Sequence, residues 1–208
     1  MTATDDAPLL VVREGPVVRA ILNRPARRNA MNLALVERLD ALLAGLPDNN
    51  EVRVLVLAGA GGHFCAGLDL AEAATETAAE QQYARNQRAG ARFAAIAALP
   101  QVVIAEIEGA AFAGGLGLVC AADIALASAE ARFAAPEVRR GLTPSQILPW
   151  LARRMGRSHA ARLVLQGASI DATAAQAAGL VHEVLPDATA LRARSAAVIA
   201  DVLQGAPR

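Results

Sequence analysis

The chain has 208 residues, 54% hydrophobic and only 3% aromatic, and its 20 basic residues balance its 20 acidic ones. That length can bury one sizeable core built from Ala, Val, Leu and Ile, while zero formal net charge gives no overall field toward nucleic acid or an acidic membrane. Every basic residue is arginine, which excludes a Schiff-base or P-loop lysine, and no apolar run approaches the ~20 residues of a membrane span.

Met1 to Ala7 is short and polar, without the basic start and apolar stretch of a secretory signal, so a cytoplasmic protein is expected. Leu9 to Arg13 and Val17 to Leu22 are β-branched runs flanking Glu14-Gly15-Pro16 and predict a hairpin. Leu33, Val36, Leu39, Leu42 and Leu43 form a helical stripe, with Asn32 as its N-cap. Val52 to Ala58, broken only by Arg53, predicts a buried strand. The following Gly59-Ala60-Gly61-Gly62 fails the Gly-x-Gly-x-x-Gly spacing of a dinucleotide loop. Residues 71 to 98 are polar and Ala-rich and predict mostly helix, closed by Pro100.

Val102 to Ile107 predicts the next strand, Leu116 to Ala122 a short helix, and Asp123 to Ala127 and Ala131 to Phe133 short strands. From Ser145 onward the signals are helical, apart from a last strand over Val181 to Leu185. This alternation predicts an α/β fold with a partly parallel sheet. A strand, turn and helix unit recurs, around residues 52–69 and again around 102–120.

Each unit carries a glycine-bearing turn, Phe64-Cys65-Ala66-Gly67-Leu68-Asp69 and Gly109 to Gly117. Two backbone amides, one from each turn, could converge on one oxygen and stabilise charge developing on a carbonyl. A helix beginning at Gly114-Gly115 would add its positive dipole end. Downstream, Glu137 follows Pro136 in the apolar context Phe133-Ala134-Ala135, where partial burial would raise its pKa and suit it to carry protons. Glu106 and Glu108 share one face of the strand over 102–107, which favours paired structural carboxylates. Cys65 and Cys120 are too few for a disulfide framework, and His63, His159 and His182 form no metal-ligand pattern. Asp69 is expected to cap the helix after it.

Leu22-Asn23-Arg24-Pro25 with Asn29-Ala30-Met31, then His63 to Asp69, Gly114-Gly115, Cys120 to Asp123, and Phe133 to Glu137 with Gly141 together resemble the enoyl-CoA hydratase/isomerase (crotonase) family, in unbroken order from about Leu9 to Leu185. The resemblance implies the ClpP/crotonase fold, a spiral of ββα units, assembled as a homotrimer or a dimer of trimers. It implies an acyl-CoA thioester substrate and an enolate-like intermediate, with no metal and no cofactor beyond the CoA that the substrate carries. Carried over residue by residue, it makes the Ala66 and Gly114 amides the oxyanion donors and Glu137 the catalytic carboxylate. Arg27 and Arg28 fall where the family approaches the nucleotide portion of CoA. Cys65, Gly67, Leu68, Asp69, Gly115 and Pro136 are expected along the substrate.

The chain departs from the family at two places. Many of its hydratases carry a second glutamate three residues after the second donor, where Gly117 stands here. They also continue for several tens of residues beyond the equivalent of Leu203. Residues 1–186 are therefore expected to form the core domain, and 187–208 the start of a short or truncated helical segment. The lone Glu137 keeps two reactions open, hydration of a 2-enoyl-CoA and isomerisation of a 3-enoyl-CoA to a 2-enoyl-CoA. The stretch Thr143-Pro144-Ser145-Gln146-Ile147 looks like members acting on branched, carboxylated enoyl-CoAs. A non-catalytic acyl-CoA-binding protein is the reading from a different class. RNA binding is disfavoured by neutral charge and few aromatics.

Overall fold

A computed structural model describes residues 6–74 and 78–206. The expected hairpin is present. β1 (Leu9–Glu14) and β2 (Val17–Leu22) run antiparallel, and Gly15 takes the positive φ of 59° in the turn between them. α1 (Leu33–Gly45) begins at Asn32, whose side chain accepts the Leu35 N–H. β3 (Val54–Gly59) leads through the first glycine turn to α2 (Leu70–Ala73), capped by Asp69 through the Ala71 N–H, and then to α3 (Ala79–Ala97). Residues 75–77, near the start of the helix expected over 71–98, lie outside the described residues.

β4 (Val102–Ile107) comes next, then β5 (Ala110–Phe112), α4 (Gly114–Ala121), β6 (Ile124–Ser128) and β7 (Arg132–Ala134). The chain ends through α5 (Leu148–Gln166), β8 (Ile170–Asp171), α6 (Ala172–Ala177), β9 (Glu183–Leu185) and α7 (Ala188–Gln204). Six strands form one sheet in the order β1-β2-β3-β4-β6-β9, parallel from β2 onward. A smaller sheet, β5-β7-β8, joins the expected β7 to β5 and β8, which the sequence does not announce. Ala110–Phe112 and Ile170–Asp171 are too short to show a period of two, and Ala-rich β5 has no β-branched residue.

β3 reads as a continuous apolar run because the large sheet is covered on both faces. Leu55 and Leu57 pack with Leu35, Leu39 and Leu43 of α1 and Phe93 and Ile96 of α3. Val54 and Val56 face Leu191, Val198 and Ile199 of α7. Each fully buried Leu or Phe contributes roughly 1.5–3 kcal/mol. The α7 segment, residues 188–204, thereby closes one face of the sheet. Among the described residues no helix is long and apolar enough to cross a membrane.

Candidate active site

Three chain segments lie level and parallel beside the second turn. Cys65 forms an isolated parallel bridge with Ala111, and β5 pairs in parallel with β7, placing Ala111 opposite Phe133. The Cys65 N–H donates to the Ala110 carbonyl at 2.8 Å, Phe112 N–H to Cys65 carbonyl at 2.9 Å, and Ala113 N–H to Ala134 carbonyl at 2.9 Å. The residues just beyond the three segments therefore fall at one edge: 66–69, Ala113 with Gly114, and 135–137. Ligands in α/β proteins favour such carboxyl ends of parallel strands.

The two turns touch. A Cβ on Gly67, at φ 94°, would fall 2.8 Å from Ala113 Cβ and 3.4 Å from the Gly114 nitrogen. A Cβ on Gly115 would lie 2.3 Å from the Cys65 carbonyl oxygen. Glycine is needed at both for backbone to approach backbone. Among the described residues, the non-glycine residues with positive φ are Ala113 in the second turn and Arg28 and Asn29 in the segment that follows the 3-10 turn Pro25–Arg27. Left-handed backbone at such residues costs about 1–3 kcal/mol each, and surrounding bonds must hold it there.

The amides resolve which donors are open. Ala66, expected as one donor, is already engaged: its N–H donates to the Arg28 carbonyl at 2.9 Å. This corrects the expectation, because an amide in a protein hydrogen bond is not free to meet a substrate oxygen. The Gly67 N–H rests on Cys65 Sγ at 3.4 Å. Met31 N–H donates to Gly67 carbonyl at 2.7 Å, and Asp69 N–H to Met31 carbonyl at 3.0 Å. In that parallel bridge the Leu68 amide points away from Met31, and no described residue accepts from it. Gly114 opens α4, where first-turn amides lack an intrahelical acceptor, and no described residue accepts its N–H either.

Glu137 sits in a 3-10 turn, Pro136–Arg140, that Pro136 starts. Its side chain is half-buried, and Oε2 is buried with no hydrogen-bond partner among the described residues. Burial pushes the carboxyl above its ordinary 4.5, opposed by its own backbone amide. A buried, unpartnered carboxylate oxygen is costly in a fold that satisfies nearly all its polar atoms.

The other expected residues divide. Arg27 and Arg28 are exposed on and after the 3-10 turn Pro25–Arg27. Cys65, expected along the substrate, is instead fully buried, and desolvation pushes its thiol up to about 12. Asp69 turns its carboxylate to Arg24 Nη2 at 2.8 Å rather than to the cleft, and that hydrogen bond holds its pKa below the usual value. Glu106 and Glu108 pair with Arg19 at 2.9 Å and Arg192 at 3.4 Å, so neither replaces a second catalytic carboxylate. Where that carboxylate would stand, a Cβ on Gly117 would meet the Phe93 ring at 2.4 to 2.8 Å. Among the described residues, no group of His, Cys, Asp or Glu is placed to hold a metal ion.

Residues 13–207 match the family described as enoyl-CoA hydratase/isomerase. The chain belongs to that family. Over 198 residues it is 34% identical to an enoyl-CoA hydratase of Alternaria alternata, covering 95% of this chain and 65% of that relative's length. The 2,3-dehydroadipyl-CoA hydratase of Escherichia coli is 36% identical over 179 residues, covering 86% of this chain and 69% of its own. Pseudomonas aeruginosa AtuE superposes with a TM-score of 0.94 at 42% identity, covering 96% of this chain and 78% of its own. A likeness of that size establishes the crotonase fold for this member of the family.

Proposed function

We propose that the protein hydrates a 2-enoyl-CoA thioester, with the Leu68 and Gly114 amides binding the thioester oxygen and Glu137 moving the proton. The observation that carries this reading is one edge bearing two amides with no acceptor among the described residues and a half-buried carboxylate whose Oε2 has no partner among them. Charge that develops on the thioester oxygen during addition would meet both N–H groups and the N-terminal end of α4. Removing one such donor costs roughly 3–4 kcal/mol in comparable sites.

The proton balance closes on a single carboxylate. Ionised Glu137 takes a proton from water as its oxygen bonds to C3, and the C2–C3 π pair moves into the enolate. Protonated Glu137 then delivers that proton to C2, restoring the thioester carbonyl and its own charge. No oxidant, reductant or metal enters. Relatives that cover most of this chain are named as hydratases. The name 2,3-dehydroadipyl-CoA denotes an acyl chain with a distal carboxylate. Such a chain fits the proposal, as does the resemblance of residues 143–147 to members acting on carboxylated substrates.

A second reading, isomerisation of a 3-enoyl-CoA, is favoured by Phe93 standing where a second carboxylate would be. One base suffices to shuttle a proton between C2 and C4. A panel of straight, branched and carboxylated 2-enoyl-CoAs, with a 3-enoyl-CoA, separates the readings when run in ¹⁸O-water. Hydration predicts label at C3 of the 2-enoyl substrates. Conversion of the 3-enoyl compound alone would replace the proposal by the isomerase. Tight binding without turnover would leave a non-catalytic binder.

A further inference from the structure

Leu68 has no side-chain chemistry to aim its own amide, and the neighbouring segment supplies the aim. Arg24 Nη1 donates to the Ala30 carbonyl, and Nη2 to Asp69 Oδ2 at 2.8 Å, directly after Leu68 in the chain. Asp69 Oδ1 meanwhile accepts the Ala71 N–H at 3.2 Å. Asn29, with no exposed surface, uses its whole side chain: Oδ1 accepts the Arg24 N–H at 2.8 Å, and Nδ2 donates to the Ala60 and His63 carbonyls at 2.9 and 2.6 Å. The bonds from Arg28 to Ala66 and from Met31 to Gly67 and Asp69 complete the lacing. Residues 24–31 are thus bonded to the first turn on both sides of Leu68, and the same segment exposes Arg27 and Arg28.

Building on the proposed function, we infer that Arg24 and Asp69 are a positioning pair that couples occupancy of the Arg27–Arg28 surface by the phosphates of a nucleotide to the direction of the Leu68 N–H. Two loops joined by this many bonds move together, and a shift of one reaches the other. A donor displaced by about 1 Å costs of order 10²-fold in rate, so small movements matter. Asp69→Asn keeps the side chain's shape and its cap on α2 while removing the charge that holds Arg24. Arg24→Lys keeps a charge for Asp69 but not the planar fork that also reaches Ala30.

The test has one readout that needs no turnover. In protein labelled with ¹⁵N-leucine, adenosine 3′,5′-bisphosphate, which carries no thioester, is expected to shift the Leu68 amide resonance. In Asp69→Asn that shift is expected to vanish. In kinetics, Asp69→Asn should lower kcat about tenfold with unchanged affinity for a saturated acyl-CoA, and Arg24→Lys should fall between it and the parent. A Leu68 resonance indifferent to the nucleotide, or responding equally in Asp69→Asn, overturns the coupling. So does a kcat that falls only in step with affinity. Should no enoyl-CoA be turned over while the Leu68 shift appears and depends on Asp69, the coupling stands and the assigned reaction fails.

Discussion

Replacing Glu137 with glutamine is expected to lower turnover by about 10²–10⁴-fold, the usual worth of a positioned acid–base group. Affinity for a saturated acyl-CoA should change little, because the amide keeps the size and most of the polarity of the carboxyl. The same variant makes an opposite prediction for stability. The folded pKa of Glu137 lies above the ordinary 4.5, so between the two values the folded state binds more protons than the unfolded chain. That contribution to stability is present below the unfolded pKa and is lost as pH rises through the folded one. Glutamine does not ionise and escapes the loss. Thermal unfolding should therefore show the variant gaining on the parent at about pH 8 and not at about pH 4. In the parent, activity that needs ionised Glu137 should fade on acidification at a pH above 4.5. A fully active Glu137→Gln protein would remove the assigned base.

The second large effect is expected from Gly67→Ala. The new Cβ would sit 2.8 Å from Ala113 Cβ and 2.9 Å from the Phe112 carbonyl oxygen, on a backbone at φ 94°. Neither neighbour is the free end of a flexible side chain, so the turns must separate. Leu68 and Gly114 lie one residue beyond these contacts, so the two amides proposed to bind one oxygen would be moved apart. Turnover of order 10²-fold lower is the expected result, with the protein still folded as judged by circular dichroism. Unchanged turnover would show that the spacing of the two turns does not matter to the chemistry.

Local signals made much of the architecture legible. The hairpin needed only two β-branched runs and Gly15, and α1 only its stripe and the Asn32 cap. The partial burial of Glu137 was legible from its apolar setting. Which amide of the first turn is left open was not. It depends on a pairing between Met31 and Leu68, distant in sequence, which decides which of several successive amides is left open. Alternation along a bridged segment is the signal that could have found it, had the partner been known. The contact of Phe93 with Gly117 was equally hidden, since α3 gives no hint of which helix it covers. The Arg24–Asp69 pair spans 45 positions for the same reason.

A crystal structure with a bound unreactive acyl-CoA tests the central claim most directly. The thioester oxygen should lie about 2.7–3.1 Å from both the Leu68 and Gly114 nitrogens, with the Glu137 carboxyl over the C2–C3 bond. A thioester oxygen bound away from either nitrogen, or a Glu137 carboxyl turned from the acyl chain, would contradict it.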